Sequence, residues 1–228
     1  MIYNRVLNVF ECFAGIGSQA KALANIEANY KIVGISEIEP LKEKVYAAIN
    51  GNVKNYGDIQ TLKVEDIKEN INLFTYSFPC QDISINGKMK GIKEGSRSSL
   101  IYDTKKIIEA KKPKFLVMEN NPPLLTTFKE DFKNWCSYLE SLGYKNSYKI
   151  INSVNYGTPQ KRKRVFMISI LNSKEHFNFP IPNYKEVFTE DILEEEPQAA
   201  GPGIGHMGLD GGQFQCLQEG VDFLSAAL

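Results

Sequence analysis

Phe78-Pro79-Cys80-Gln81 sets a cysteine between a proline and a glutamine, directly after the apolar run Leu73-Phe74-Thr75-Tyr76-Ser77. That run reads as a buried strand, which puts Cys80 on the loop at its carboxyl end, the edge where open α/β sheets bind ligands. A thiolate held there can attack an electron-poor carbon as a covalent catalyst, whereas an isolated cysteine more often only packs. Glu119 follows the apolar run Phe115-Leu116-Val117-Met118, where a carboxyl group is costly to bury without a task. The basic run Gln160-Lys161-Arg162-Lys163-Arg164 lies between two apolar runs. It suits phosphate or base contact, or equally a solvated cluster of charge.

A second group of residues suits a nucleoside. Phe13-Ala14-Gly15-Ile16-Gly17 follows an apolar run and precedes an amphipathic one. Gly15 and Gly17 would let the backbone turn tightly and approach a ligand at a helix amino terminus. This is GxG rather than the full dinucleotide fingerprint, so an ordinary strand-to-helix turn explains it as well. Glu37 ends the next apolar run and could accept hydrogen bonds from both ribose hydroxyls. Asp58, after Tyr56-Gly57, is expected at another strand end, where it could accept from an adenine amino group or simply shape a turn.

The elements that must position these side chains alternate short apolar runs with longer amphipathic ones, the pattern of a doubly wound, mostly parallel α/β sheet. Strands are expected at Val6–Phe10, Ile32–Ile35, Leu73–Ser77, Phe115–Met118, Tyr148–Val154 and Val165–Leu171. Helices are expected from Ser18, as cap, to Ile26, and over Leu41–Ile49, Ser98–Ala110 and Phe128–Leu142, the last stopped by Gly143.

With 228 residues, 43% of them hydrophobic, the chain suits one domain with a substantial core. It shows neither an apolar stretch of membrane-spanning length nor a signal-peptide layout, and a cytoplasmic location is expected. Its four cysteines, Cys12, Cys80, Cys136 and Cys216, form no CxxC pair, so neither a metal centre nor a disulfide framework is expected. The net charge of zero conceals an asymmetry: residues 194–228 carry six acids and no Lys or Arg, leaving 27 basic and 21 acidic side chains, a net of +6, in residues 1–193. A basic body is compatible with a polyanionic partner. Seven glycines also fall in 194–228, which reads as a distinct, poorly ordered segment appended to a domain spanning 1–193.

Taken in order, Phe-Ala-Gly-Ile-Gly, the strand-end Glu37, Gly57-Asp58, Phe-Pro-Cys-Gln, Met118-Glu119-Asn120 and Gln-Lys-Arg-Lys-Arg resemble the cytosine-C5 DNA methyltransferases of bacteria and phages, over nearly all of residues 6–193. Ser84-Ile85-Asn86-Gly87-Lys88 and Arg97 are similar to that family's mobile catalytic loop and its continuation. The resemblance implies a Rossmann-like fold that uses S-adenosylmethionine, double-stranded DNA as partner, and a place in restriction–modification. It makes Cys80 the nucleophile at cytosine C6 and Glu119 the acid at ring N3. Arg164 would support O2 and hold Glu119, with Arg162 beside the centre. Gln81, Ser84 and the loop to Arg97 would close on a base flipped out of the duplex. For the cofactor it implies the loop of Phe13, Ala14, Gly15, Ile16 and Gly17, with Phe13 near adenine and the glycines along the methionine portion. Glu37 would bind the ribose, Asp58 and Ile59 would flank adenine, and Pro79 would sit near the transferred methyl.

Two departures qualify the resemblance. The usual Glu-Asn-Val reads Glu119-Asn120-Asn121, then Pro122-Pro123, which would alter the local loop. The match also stops near Leu193, before a target-recognition domain and the returning helix of the cofactor pocket. Three readings of this are open: recognition supplied by a second polypeptide, a truncated or frame-shifted product, or an inactive remnant. The abrupt composition change favours the second. An RNA cytosine methyltransferase is a lesser alternative to a DNA enzyme, and a plain nucleotide-binding oxidoreductase leaves Cys80 and the arginine pair unexplained.

Overall fold

A computed structural model of the chain describes residues 6–79 and 99–182. Cys80, Gln81, Ser84, Arg97 and the 193/194 boundary with its tail lie outside the described residues. Six strands, β1 (Leu7–Cys12), β2 (Tyr30–Ser36), β3 (Leu73–Tyr76), β4 (Phe115–Asn120), β5 (Tyr144–Asn152) and β6 (Lys163–Leu171), form one sheet in the order β2-β1-β3-β4-β6-β5. The β1–β2, β1–β3 and β3–β4 pairs are parallel; β6 alone runs against its neighbours β4 and β5.

The strand residues alternate between two apolar cores because successive side chains point to opposite faces. Phe10, Phe74, Tyr76, Leu116, Met118, Val165 and Met167 face one core. It is closed by α4 (Lys105–Lys111) through Ile107 and Ile108 and by α5 (Lys129–Ser141). In α5 the buried Phe132, Trp135, Cys136 and Leu139 recur at helical spacing. Leu7, Val9, Leu73, Val117, Phe166 and Ile168 face the other core, closed by Ala22 and Leu23 of α1 (Ser18–Asn25). Tyr46 of α2 (Pro40–Asn50) packs beside it with Ala20 and Ile35. Helices thus cover both faces, the doubly wound arrangement expected.

Four local expectations need correction. Ser18 is the first helical residue, not the cap: Gly17 holds that position at φ 85°, and no side chain caps the helix. The helix expected to end at Ala110 is broken into α3 (Leu100–Asp103) and α4, with Ser98 outside the described residues. At the break the buried Thr104 turns its hydroxyl back to the Ile101 carbonyl at 2.6 Å, which competes with the helical ladder. Strand β5 begins at Tyr144 rather than Tyr148 and ends at Asn152, followed by a 3-10 turn over Ser153–Tyr156. Its polar start is tolerated because Asn146 Nδ2 donates to the Cys136 carbonyl, and Asn146 Oδ1 accepts from the Ser169 hydroxyl at 2.7 Å. Lys163 and Arg164, read as loop, open β6. Gly143, at φ 92°, does end α5 as expected.

Beyond β6 the chain doubles back toward the opposite end of the sheet. The Phe177 amide donates to the Ser147 hydroxyl of β5, and the Tyr156 hydroxyl donates to the Pro180 carbonyl. Phe177 and Phe179 pack edge to face, with centroids 5.0 Å apart, against the second core.

Candidate active site

In the strand order, β1 is followed in sequence by the strand on one side of it and β3 by the strand on the other. The crevice beyond their carboxyl ends is therefore the switch point at which such sheets bind ligands. Cys12 and Tyr76 are register partners, so Phe13 and Ser77 leave adjoining strand ends; Tyr76 and Met118 are partners too, so Glu119 follows beside Ser77. A cavity of about 620 Å³ opens there, lined by Phe13, Gly15, Ser36, Glu37, Ile38, Glu39, Lys42, Gly57, Asp58, Ile59, Gln60, Ser77, Pro79 and Leu100.

The loop after β1 reaches this cavity through left-handed backbone at Phe13 (φ 57°), Gly15 (φ 58°) and Gly17 (φ 85°). A Cβ on Gly15 would meet nothing within 4 Å, so the loop leaves room for a ligand against its backbone. A Cβ on Gly17 would lie 2.1 Å from Asn50 Nδ2 and 2.7 Å from the Tyr46 ring, so this glycine serves close packing of the loop on α2. Ala14 and Ile16 are likewise buried, and among the expected cofactor residues Ala14, Ile16 and Gly17 do not line the cavity. Phe13, Gly15, Glu37, Asp58, Ile59 and Pro79 do.

Glu37 is nearly buried and oriented by backbone: Oε2 accepts from the Gly15 amide at 2.8 Å and Oε1 from the Glu39 amide at 2.9 Å. Each oxygen keeps acceptor capacity for a further donor. Asp58 does not end a strand as expected. It follows an isolated bridge between Ile35 and Asn55 and shapes a turn in which Oδ1 accepts from the Gln60 amide at 2.9 Å. The turn aspartate and the cavity-lining aspartate are one residue. Asn55, which sequence reasoning passed over, ties this arm to Glu37: its Oδ1 accepts from the Glu37 and Gly57 amides, and its Nδ2 donates to the Glu37 carbonyl. Ile38, also passed over, is 67% exposed and offers the cavity an apolar wall. Its position between two strand-end acids was the available signal.

Glu119 stands opposite Phe166 across antiparallel β4 and β6, which makes Arg164 its diagonal neighbour on the same sheet face. Arg164 Nε lies 2.9 Å from Glu119 Oε1, with the two side chains only 19% and 18% exposed. Burial pushes the Glu119 carboxyl above the ordinary carboxylate range; the Arg164 and Arg162 charges and a hydrogen bond from the Ser77 hydroxyl pull the other way without cancelling it. Arg162 is fixed through its backbone, which exchanges hydrogen bonds with Ser153, while its Nε is buried with no partner among the described residues. Asn121 follows β4 and opens the next loop through its backbone. Its amide bonds the Asn120 side chain and its carbonyl accepts from Leu124, opening a 3-10 turn over Pro122–Leu125.

The two described cysteines are poor nucleophiles. Burial pushes the Cys136 thiol up to about 12 and the Cys12 thiol higher still. Among the described residues no cluster of His, Cys, Asp and Glu could hold a metal ion, and no helix is long and apolar enough to cross a membrane.

Comparison with known proteins agrees with this geometry. Residues 7–207 match the family model described as C-5 cytosine-specific DNA methylase, a range that runs past Leu193. The chain is 37% identical over 246 residues to Type II methyltransferase M2.ScrFI of Lactococcus lactis subsp. cremoris, covering 83% of this chain and 68% of that protein. It is 35% identical over 231 residues to orphan methyltransferase M.SssI of Spiroplasma monobiae, covering 73% of this chain and 60% of that protein. Among solved structures, the Entamoeba histolytica methyltransferase EhMeth shares the fold with a TM-score of 0.71 at 22% identity, over 86% of this chain and 62% of that one. The chain is therefore shorter than these relatives, and it belongs to the C-5 cytosine-specific DNA methylase family.

Proposed function

We propose that this chain carries the catalytic machinery of a DNA cytosine-5 methyltransferase of the restriction–modification type. The observation that carries the reading is the partly buried Glu119–Arg164 pair one strand away from a nucleoside-sized cavity, at the strand end that leads into Cys80. The cavity suits S-adenosylmethionine. Glu37 has acceptor capacity for the ribose hydroxyls, Phe13, Ile38 and Ile59 supply apolar walls for the adenine ring, and Asp58 can accept from its amino group. Bound there, the cofactor would supply an electrophilic sulfonium methyl.

Cytosine C5 is too weak a nucleophile to take that methyl directly. The Cys80 thiolate adds to C6 while Glu119 gives a proton to N3, which turns the ring into an enamine with electron density at C5. Arg164 holds Glu119 and supports O2, and Arg162 adds positive potential at the same end. After methyl transfer, loss of the C5 proton and elimination of Cys80 restore aromaticity. The ring is out of reach inside a duplex, so the target base must flip out, with Gln81, Ser84 and the stretch to Arg97 closing over it.

Transfer of labelled methyl from S-adenosylmethionine to duplex DNA tests this, with the chain beside its Cys80→Ser and Glu119→Gln variants. Cys80-dependent label at cytosine C5 is expected, with Glu119→Gln severely slowed and cofactor binding retained in both. Turnover in Cys80→Ser would overturn the nucleophile assignment. Parallel loss of cofactor binding and transfer in Glu119→Gln would make Glu119 structural.

A further inference from the structure

Between the cavity and the Glu119–Arg164 pair stands Ser77, the residue that follows β3. It lines the cavity, and its hydroxyl lies between Gln19 on one side and Glu119 on the other. Gln19 Nε2, from the first turn of α1 beside the glycine loop, donates to Ser77 Oγ at 3.3 Å. Ser77 and Glu119 each follow one of the parallel register partners Tyr76 and Met118, so the two side chains leave the same face of neighbouring strands and the hydroxyl lies beside the carboxyl. A serine hydroxyl has one proton to give; having accepted from the amide, it has that proton free for the carboxyl beside it. The chain of donors is therefore polarised in one direction, from α1 through β3 to the end of β4, where Arg164 meets the same carboxyl from β6.

We propose that Gln19 and Ser77 are positioning residues, a two-link hydrogen-bond relay that orients the Glu119 carboxyl and couples its protonation to the loop that frames the cofactor cavity.

The relay rests on the functional reading above for its consequence but not for its existence. Its chemistry is a balance. Ser77, Arg164 and Arg162 favour the carboxylate, while burial favours the acid that would donate to N3. Arg164 and Arg162 are the charged groups that face Glu119 among the described residues, both from the β6 side; the Ser77 hydroxyl lies on the cavity side. Hydrogen bonds in series reinforce one another, so the Gln19 amide strengthens what Ser77 donates.

The test reads the carboxyl directly by carbon NMR titration of the chain labelled at glutamate side-chain carboxyl carbons, with Glu119→Gln identifying the resonance. Ser77→Ala is expected to move the Glu119 midpoint upward, Gln19→Leu to move it upward by less, and Ser77→Thr, which keeps the hydroxyl, to restore it. The double variant should titrate like Ser77→Ala alone, because Gln19 acts only through the serine. Additive shifts, or an unmoved midpoint in Ser77→Ala, would overturn the relay. In methyl-transfer assays Ser77→Ala should lower kcat on the order of tenfold with cofactor KM little changed, and should move the alkaline limb of the pH profile up. Equal loss in KM and kcat with no movement of the limb would mark Ser77 as mere packing. Shifted midpoints in a chain that transfers no methyl would leave the relay standing and remove the enzyme reading, whereas methyl transfer with unmoved midpoints would do the reverse.

Discussion

Arg164 and Glu119 are separated by 45 positions in sequence, yet the antiparallel register of β4 and β6 makes them diagonal neighbours with 2.9 Å between Nε and Oε1. Replacing Arg164 by Gln removes the largest charge opposing the burial of Glu119. The Glu119 carboxyl should rise further above the ordinary range, and stability should fall by about 1–3 kcal/mol, the scale of a charged hydrogen bond lost at a shielded site. Urea unfolding at neutral pH measures the second effect. An unchanged midpoint would show that the pair contributes nothing net.

Glu11 makes a pH prediction of its own. It is fully buried at the end of β1, and its Oε2 accepts from the Tyr46 hydroxyl at 2.5 Å. Burial raises its carboxyl from 4.5 to about 7, against the lowering effects of the Tyr46 hydroxyl and the Ala20 backbone. Between those values the unfolded chain loses this proton while the folded one keeps it, so stability falls as pH rises from 4.5 to about 7 and levels off above. Glu119 adds a slope of the same sign. Comparing the chain with Glu11→Gln isolates Glu11: the variant should gain on the parent by up to about 3 kcal/mol between pH 5 and 8. A pH-independent difference would contradict the buried acid.

The two glycines of the first loop should fail differently. Gly17→Ala forces a Cβ into Asn50 and Tyr46 and should destabilise the fold by about 2–4 kcal/mol. Gly15→Ala meets open space and should cost only about 1–2 kcal/mol for the left-handed backbone, while cofactor binding weakens. Thermal melts and calorimetric titration with S-adenosylmethionine separate the two outcomes.

Glu37→Gln keeps the size of the side chain but replaces one acceptor with a donor that faces either the Gly15 or the Glu39 amide. Cofactor affinity should drop about 10- to 100-fold, the equivalent of one or two hydrogen bonds to a charged acceptor. Calorimetry decides it, and unchanged affinity would remove Glu37 from the ribose site.

The parts of the site legible in sequence are those that local order delivers. An acid after an apolar run is an acid at a strand end, and both Glu37 and Glu119 were readable that way. The rest depends on neighbours that register creates. Glu11 was missed because an acid interrupts the apolar run after Phe10, and the hydroxyl that satisfies it belongs to Tyr46, far along the chain. Asn146 and Ser147 looked like loop because their partners, Ser169 and Phe177, lie over 20 positions away. Ser77 looked like the last apolar-run residue, and nothing near it names Gln19 or Glu119 as its partners. Asp58, expected at a strand end, sits in a turn because the single bridge at Asn55 never extends into a ladder.

The reversed direction of β6 has a consequence for anyone wishing to graft something onto this protein. A chain leaving the last strand at Leu171 emerges at the far end of the sheet, but the turn held by Ser147 and Tyr156 carries it back to Pro180, on the end where Arg164 and Glu119 meet. A dye, affinity tag or guide module joined just after Pro182 would thus be launched at the working edge of the molecule, where crowding can be felt. One joined in the Leu171–Ser173 corner would ride at the opposite pole.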